Sequence, residues 1–119
     1  MKTYLVTGGA GFIGSNFVIY MLNKYDDIKI INVDKLTYAG NLENLKSVEN
    51  DPRYSFVQAD ICDREAISKI FAENDVDYVV NFTKSTACDN HINSFTVIFN
   101  VKPVTNLHTV TVYRKILVL

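Results

Sequence analysis

Thr7-Gly8-Gly9-Ala10-Gly11-Phe12-Ile13-Gly14 is the stretch whose reading decides the fold. An apolar run, Tyr4-Leu5-Val6, precedes it, and apolar residues at helical spacing begin within it at Phe12. Strand, glycine turn and helix, in that order, form the setting in which glycines at this spacing have a mechanism. Gly9-x-Gly11-x-x-Gly14 fits the dinucleotide fingerprint, and Gly8-x-x-Gly11-x-x-Gly14 fits its wider-spaced variant. Glycine permits the sharp turn, lets backbone approach a pyrophosphate, and lets the helix start lie close on the strand. The unpaired N–H groups and positive dipole end of the helix then face the phosphates.

Working outward, the whole chain has 119 residues, which is the length of a single domain. Its 48% hydrophobic and 21% charged content is that of an ordinary globular protein. A net charge of -1 supplies no field for recruiting nucleic acid or an anionic membrane. No apolar run approaches a membrane span, and the chain opens directly on Lys2-Thr3-Tyr4-Leu5-Val6 without a leader pattern. Cys62 and Cys88 are isolated thiols without metal or redox spacing. The expectation is a cytoplasmic protein with no metal site.

Along the chain, Lys2 to Thr7 reads as a buried strand. Phe12, Ile13, Phe17, Val18, Met21 and Leu22 predict a helix to Lys24, ended by Tyr25-Asp26-Asp27. Lys29-Ile30-Ile31-Asn32-Val33-Asp34 is the second strand, and Gly40-Asn41 is a turn before a short helix at Leu42–Leu45. Asp51-Pro52 breaks the chain before a third strand, Tyr54 to Gln58. Asp63 is placed to cap a helix with Ala66, Ile67, Ile70 and Phe71 on one face, and Asp77 to Phe82 is the fourth strand. Strands alternating with helices imply βαβ units. Right-handed crossovers then give an α/β, Rossmann-like, doubly wound parallel sheet of order 3-2-1-4. Beyond Phe82 two assignments compete. One is a helix around Ser94–His108 leading to a fifth strand ending at Lys115–Leu119, which the βαβ rhythm favours. The other is an extended tail, favoured by the β-branched Val97, Ile98, Val101, Thr105 and Val110–Val112 region and by Pro103.

Asp34 closes the second strand 20 residues after Gly14, the distance at which a carboxylate meets the adenosine ribose hydroxyls of NAD. A 2′-phosphate would be repelled there, so NAD is favoured over NADP, although the adjacent Lys35 is a cation that pulls the other way. Asp60-Ile61 follows the third strand at the same sheet edge. It suits either an adenine contact or the turn before the Asp63 helix. Tyr20/Lys24 and Tyr25/Lys29 match Tyr-x-x-x-Lys, a spacing that lets an ammonium lower a phenol pKa on one helix face. Both lie far from the ligand-binding edge and are rejected as catalytic. His91 and His108 lack metal-ligand spacing, and Ser85 and Thr86 offer hydroxyls beyond the fourth strand. No catalytic nucleophile–base pair emerges.

Thr7 to Phe17, followed by Asn32-Val33-Asp34-Lys35-Leu36-Thr37-Tyr38-Ala39-Gly40-Asn41-Leu42, resembles the dTDP-glucose 4,6-dehydratase family of extended short-chain dehydrogenase/reductases. Asp60-Ile61-Cys62-Asp63 fits the same pattern. The resemblance implies an NAD-binding set of Gly8, Gly11, Phe12, Ile13, Gly14, Asp34, Lys35, Thr37, Gly40, Asp60, Ile61 and Phe82. It also implies NAD-dependent dehydration of dTDP-glucose to dTDP-4-keto-6-deoxyglucose, with a homodimer and the nucleotide sugar as partners of the full enzyme. The likeness runs from Met1 to about Phe82 and then fades. The family's Ala-Ala-Glu-Ser-His-Val-Asp is here Thr83-Lys84-Ser85-Thr86-Ala87-Cys88-Asp89, where only Asp89 agrees. Family members are longer, and their Thr-Asp-Glu cluster, later Tyr-x-x-x-Lys and substrate domain have no counterpart in these residues. The expectation is therefore a truncated, single NAD-binding domain over 1–119, with 83–119 divergent, inactive by itself. A stand-alone NAD-binding or sensor module, or a folded non-binding remnant of a truncated gene, are the alternatives.

Overall fold

The computed structural model describes residues 1–36, 40–61, 63–82 and 96–99. Strand β1 (Lys2–Thr7) leads through helix α1 (Phe12–Lys24) to β2 (Ile28–Asp34). After a 3₁₀ turn at Leu42–Leu45 come β3 (Tyr54–Gln58), α2 (Arg64–Glu73), β4 (Tyr78–Asn81) and β5 (Thr96–Phe99). The sheet order is β3-β2-β1-β4-β5. β1 pairs in parallel with both β2 and β4, and β2 pairs in parallel with β3. This is the Rossmann-like 3-2-1-4 arrangement that the glycine turn and the βαβ rhythm predict.

Because both faces of a parallel sheet must be covered, its strands carry apolar residues on both sides. Leu5, Ile31, Val33 and Val79 point to one face and meet Ile67, Ile70 and Phe71 of α2. Val6, Ile30 and Val80 point to the other, where Val18, Met21 and Leu22 of α1 join Leu45 and Val48 from the segment after β2. Leu5, Val6, Ile30, Val33 and Val79 are 0% exposed. Burying each such side chain contributes about 1.5–3 kcal/mol. Asp63 caps α2 as its position suggests, its carboxylate accepting from Ala66 N–H at 3.2 Å.

The tail departs from the favoured expectation. Where the βαβ rhythm predicts a helix over Ser94–His108, Thr96–Phe99 is a strand, paired antiparallel with β4 from Tyr78↔Phe99 to Asn81↔Thr96. Thr96, Val97 and Ile98 are β-branched and Phe99 is aromatic, all of which fit a pleated strand better than a helix. The outer edge of β4 also offers a row of unpaired N–H and C=O groups that an extended segment satisfies at once. The fifth strand therefore arrives earlier in the chain than Lys115–Leu119 and runs in the opposite direction. Those last residues lie outside the described residues, as do Thr37, Cys62, positions 83–95 with Ser85, Thr86, Cys88 and His91, and His108.

At the amino edge of the sheet two polar ties hold the strands in register. Asp77 accepts from Thr3 N–H at 2.9 Å and donates its own N–H to the Thr3 carbonyl at 2.9 Å, so it leads into β4 rather than opening it. Arg53, just before β3, donates to the carbonyls of Leu22 at 2.9 Å and Tyr25 at 2.6 Å. Those are carbonyls that the end of α1 leaves without helical partners. The same guanidinium grips Asp51 through Nε at 3.1 Å and a terminal nitrogen at 2.8 Å. That grip holds the Asp51 carboxyl below its usual value of 3.8.

Arg53→Ala should therefore lower the midpoint of urea denaturation, because it removes charge-assisted bonds to the carbonyls of Leu22 and Tyr25 at the end of α1. A depressed carboxyl pKa stabilises the folded state above the unfolded value. That contribution should disappear as pH falls through and below about 4, and Asp51→Asn should flatten this part of the stability–pH curve.

Candidate functional site

Parallel strands end together, so the exits of β1, β2, β3 and β4 converge on one sheet edge, and α1 starts there. Leaving β1, the chain turns at Gly8, whose φ of 74° lies in the left-handed region that a side chain disfavours. Gly8 N–H donates to the Val33 carbonyl at 2.9 Å, and Gly8 O accepts from Gly11 N–H at 3.3 Å. The start of α1 then passes so close to the turn that a Cβ on Gly14 would sit 2.3 Å from Gly8 O. Gly11 is the N-cap, with no side-chain cap and no acidic residue in the first turn. Phe12 and Ile13, 78% and 64% exposed, follow it. The backbone N–H groups of this first turn thus meet no side-chain acceptor of their own helix, and the positive end of its dipole is not neutralised from within. A pyrophosphate fits that arrangement.

Asp34 sits at the exit of β2, half-buried, with both carboxylate oxygens engaged. Oδ2 accepts from Ala10 N–H at 2.9 Å, inside the glycine turn, and Oδ1 accepts from Leu36 N–H at 2.8 Å. Leu36 adopts a φ of 60° to make that bond, a conformation that costs a non-glycine residue of order 1–2 kcal/mol. Gly40 returns against the same carboxylate, where a Cβ would lie 2.9 Å from Oδ1. Lys35 and Asp60, from the exits of neighbouring strands, form an ion pair at 3.2 Å. Ile61 packs against the core on the α2 side. Phe82 donates its N–H to Thr7 O at 2.7 Å and sets its ring 5.3 Å from that of Phe17. Apart from Thr37, which lies outside the described residues, every residue expected to contact the cofactor is at or beside this edge.

The structure adds residues that motif reading missed. Ala10, 0% exposed, is the hub of the turn: besides its N–H bond to Asp34, its carbonyl accepts from Asn41 N–H and Asn44 Nδ2, both at 3.0 Å. Asn32 lies one step below Asp34 on the same face of β2, fully buried, donating to Tyr54 OH at 3.1 Å. A Cβ on Gly9 would fall 2.3 Å from Asn32 Oδ1, so the absence of a side chain at Gly9 makes room for this amide as well as for any ligand. Asn32 Oδ1 itself is buried with no partner among the described residues. Burial raises the Tyr54 phenol above its usual 10.0; the Asn32 bond opposes this and the Asp34 charge adds to it, so the hydroxyl stays protonated at physiological pH. A polar Asn between the apolar Ile30-Ile31 and Val33 was the signal available in the sequence.

Neither Tyr-x-x-x-Lys match reaches the edge. Lys24 donates to Tyr20 OH at 2.8 Å at the far end of α1, and that bond raises the pKa of the Lys24 ammonium. Tyr25 and Lys29 do not share a helix face, because α1 ends at Lys24 and Lys29 belongs to β2. Among the described residues no group of three or more His, Cys, Asp or Glu could hold a metal ion, and no helix is long and apolar enough to cross a membrane.

The family model described as GDP-mannose 4,6 dehydratase matches residues 5–116. The dTDP-glucose 4,6-dehydratase of Escherichia coli is 52% identical over 88 residues, covering 74% of this chain and 24% of that protein. The Neisseria meningitidis dTDP-glucose 4,6-dehydratase is 48% identical over 94 residues, covering 79% of this chain and 26% of its own. A solved dTDP-glucose 4,6-dehydratase from Bacillus anthracis in complex with NAD superposes with a TM-score of 0.70 at 51% identity, covering 72% of this chain and 28% of that one. The Streptomyces venezuelae enzyme with NAD and TYD bound gives 0.63 at 42% identity, over 73% of this chain and 28% of that one. The chain thus spans about a quarter of the length of the curated relatives it matches.

The crowding at the turn sets two different penalties. Gly8→Ala should destabilise by about 1–2 kcal/mol, the cost of a left-handed alanine. Gly14→Ala should cost more, about 2–4 kcal/mol, because helix and turn must separate. Urea midpoints of the two variants measure the difference.

Proposed function

This chain belongs to the GDP-mannose 4,6 dehydratase family, and we propose that it is the NAD-holding part of an enzyme of the dTDP-glucose 4,6-dehydratase type. The observation that supports this reading is the join of the glycine turn to Asp34 through Ala10 N–H, 2.9 Å long, which sets a helix start without a side-chain cap beside a half-buried carboxylate. The dinucleotide would lie along the sheet edge with its pyrophosphate at the Gly11–Ile13 amides and its adenosine ribose at Asp34. Asp60 and Ile61 would flank the adenine. When bound, NAD supplies a hydride acceptor. The contribution of this chain is to bind and orient it, since none of the described residues at this edge forms an acid–base pair suited to a dehydration.

Both carboxylate oxygens of Asp34 already hold backbone N–H groups, yet each oxygen can accept a second bond. Ribose hydroxyls therefore complete the carboxylate's acceptor capacity without displacing the turn. A 2′-phosphate would bring like charge against it, so the reading is NAD in preference to NADP. The substrate class in this reading is a deoxythymidine diphosphate sugar, by the names of the relatives. A stand-alone NAD-binding module is a second reading, favoured by the antiparallel β5, which gives the far side of β4 a neighbour of opposite direction to that expected from a further βαβ unit.

Titration of the purified chain with NAD should show saturable binding at one site, with NADP weaker. Asp34→Ala should weaken NAD by about tenfold or more, the worth of hydrogen bonds to a charged acceptor. Absence of NAD binding by the folded chain would overturn the proposal. dTDP-glucose incubated with the NAD-loaded chain should be recovered unchanged; its dehydration would show that these residues do carry the proton transfers.

A further inference from the structure

We propose that Asp60 sharpens the preference for NAD over NADP by engaging the ammonium of Lys35, the cation that a 2′-phosphate would otherwise recruit. This selectivity deepens the function proposed above and presupposes that the adenosine ribose lies at Asp34. Lys35 directly follows Asp34, and a lysine there is a natural phosphate ligand, since a cation near the ribose-binding carboxylate is what accommodates a 2′-phosphate in dinucleotide sites. In this structure its Nζ lies instead 3.2 Å from Asp60 Oδ2.

The pairing follows from the way β2 and β3 end. Asp34 lies opposite Gln58 in the parallel ladder, and Ala59 N–H donates to the Asp34 carbonyl at 3.3 Å, so the two strand exits stay side by side. Gln58 Nε2 reaches the Lys35 carbonyl at 3.4 Å, and the Asp60 carbonyl accepts from Asp63 N–H at 2.9 Å in the turn before α2. Both backbones of the pair are therefore held, and the ion pair bridges the two strand exits next to Asp34. A 2′-phosphate arriving here would meet the Asp34 carboxylate and would have to compete with Asp60 for Lys35. A 2′-hydroxyl meets neither obstacle. The side chains are 60% and 33% exposed, so the effect is the modest one of a solvated pair and not that of a buried one.

The test is a double-mutant cycle of wild type, Asp60→Asn, Lys35→Met and the double variant, each titrated with NAD and NADP. Asp60→Asn keeps an oxygen that can accept from an adenine amino group, and its effect is read as the NADP-to-NAD affinity ratio, in which any loss of adenine contact common to both cofactors cancels. It should improve NADP relative to NAD by about two- to fivefold, the range of exposed ion-pair couplings. The improvement should vanish in the Lys35→Met background and shrink as salt is raised. An unchanged NADP-to-NAD ratio overturns the proposal, as does an equal improvement in both backgrounds, which would assign the effect to the charge of Asp60 itself. A wild-type chain that fails to bind NAD overturns the functional reading, and this proposal with it.

Discussion

The carboxylate of Asp34, accepting from Ala10 N–H on one side and Leu36 N–H on the other, is the contact on which the rest of the ligand edge depends. It is a charge-assisted bond pair between the exits of two adjacent strands, made where the chain leaves the ladder and would otherwise be free to diverge. One oxygen holds the glycine turn in place, and through it the start of α1. The other holds Leu36 in a left-handed conformation and turns the chain back so that Asn41 and Asn44 can reach the Ala10 carbonyl. A neutral residue of similar size at this position would present a single acceptor oxygen and could satisfy only one side. The group that would recognise a ribose is thus also the group that shapes the turn which would recognise the pyrophosphate.

The two edges of the sheet divide the work. At the amino edge, Arg53 and Asp77 tie strand starts and the end of α1 together with bonds that close on themselves. At the carboxyl edge the bonds leave acceptor and donor capacity facing outward, at an uncapped helix start and a carboxylate with lone pairs in reserve. The Tyr20–Lys24 pair shows why position outranks motif: its hydrogen bond is well formed, but it belongs to the closed edge.

Relatives about four times longer than this chain match it at 52% and 48% identity over 88 and 94 residues, and the family model spans residues 5–116. The antiparallel β5 lies within that span. It covers the edge of β4 using ladder bonds that any extended segment of suitable propensity can make, whereas the parallel pairings of β1, β2 and β3 are fixed by the crossovers and by apolar residues on both faces.

By itself the sequence determined the alternation of strands and helices, the 3-2-1-4 order, the helix cap at Asp63 and the place of Asp34 at the end of the second strand, 20 residues after Gly14. These follow from local chemistry: side-chain periodicity, the backbone freedom of glycine, and the handedness of βαβ crossovers. Only the tertiary structure decided the direction of the fifth strand, because a short β-branched segment can pair either way and the available edge makes the choice. It alone revealed Asn32 beneath Gly9, Ala10 as the hub of the turn, and the Lys35–Asp60 pair, since each joins residues from different strands whose separation in sequence carries no sign of contact. Spacing can announce that a turn will receive a phosphate. Which neighbours hold that turn is a matter of which strand exits end side by side.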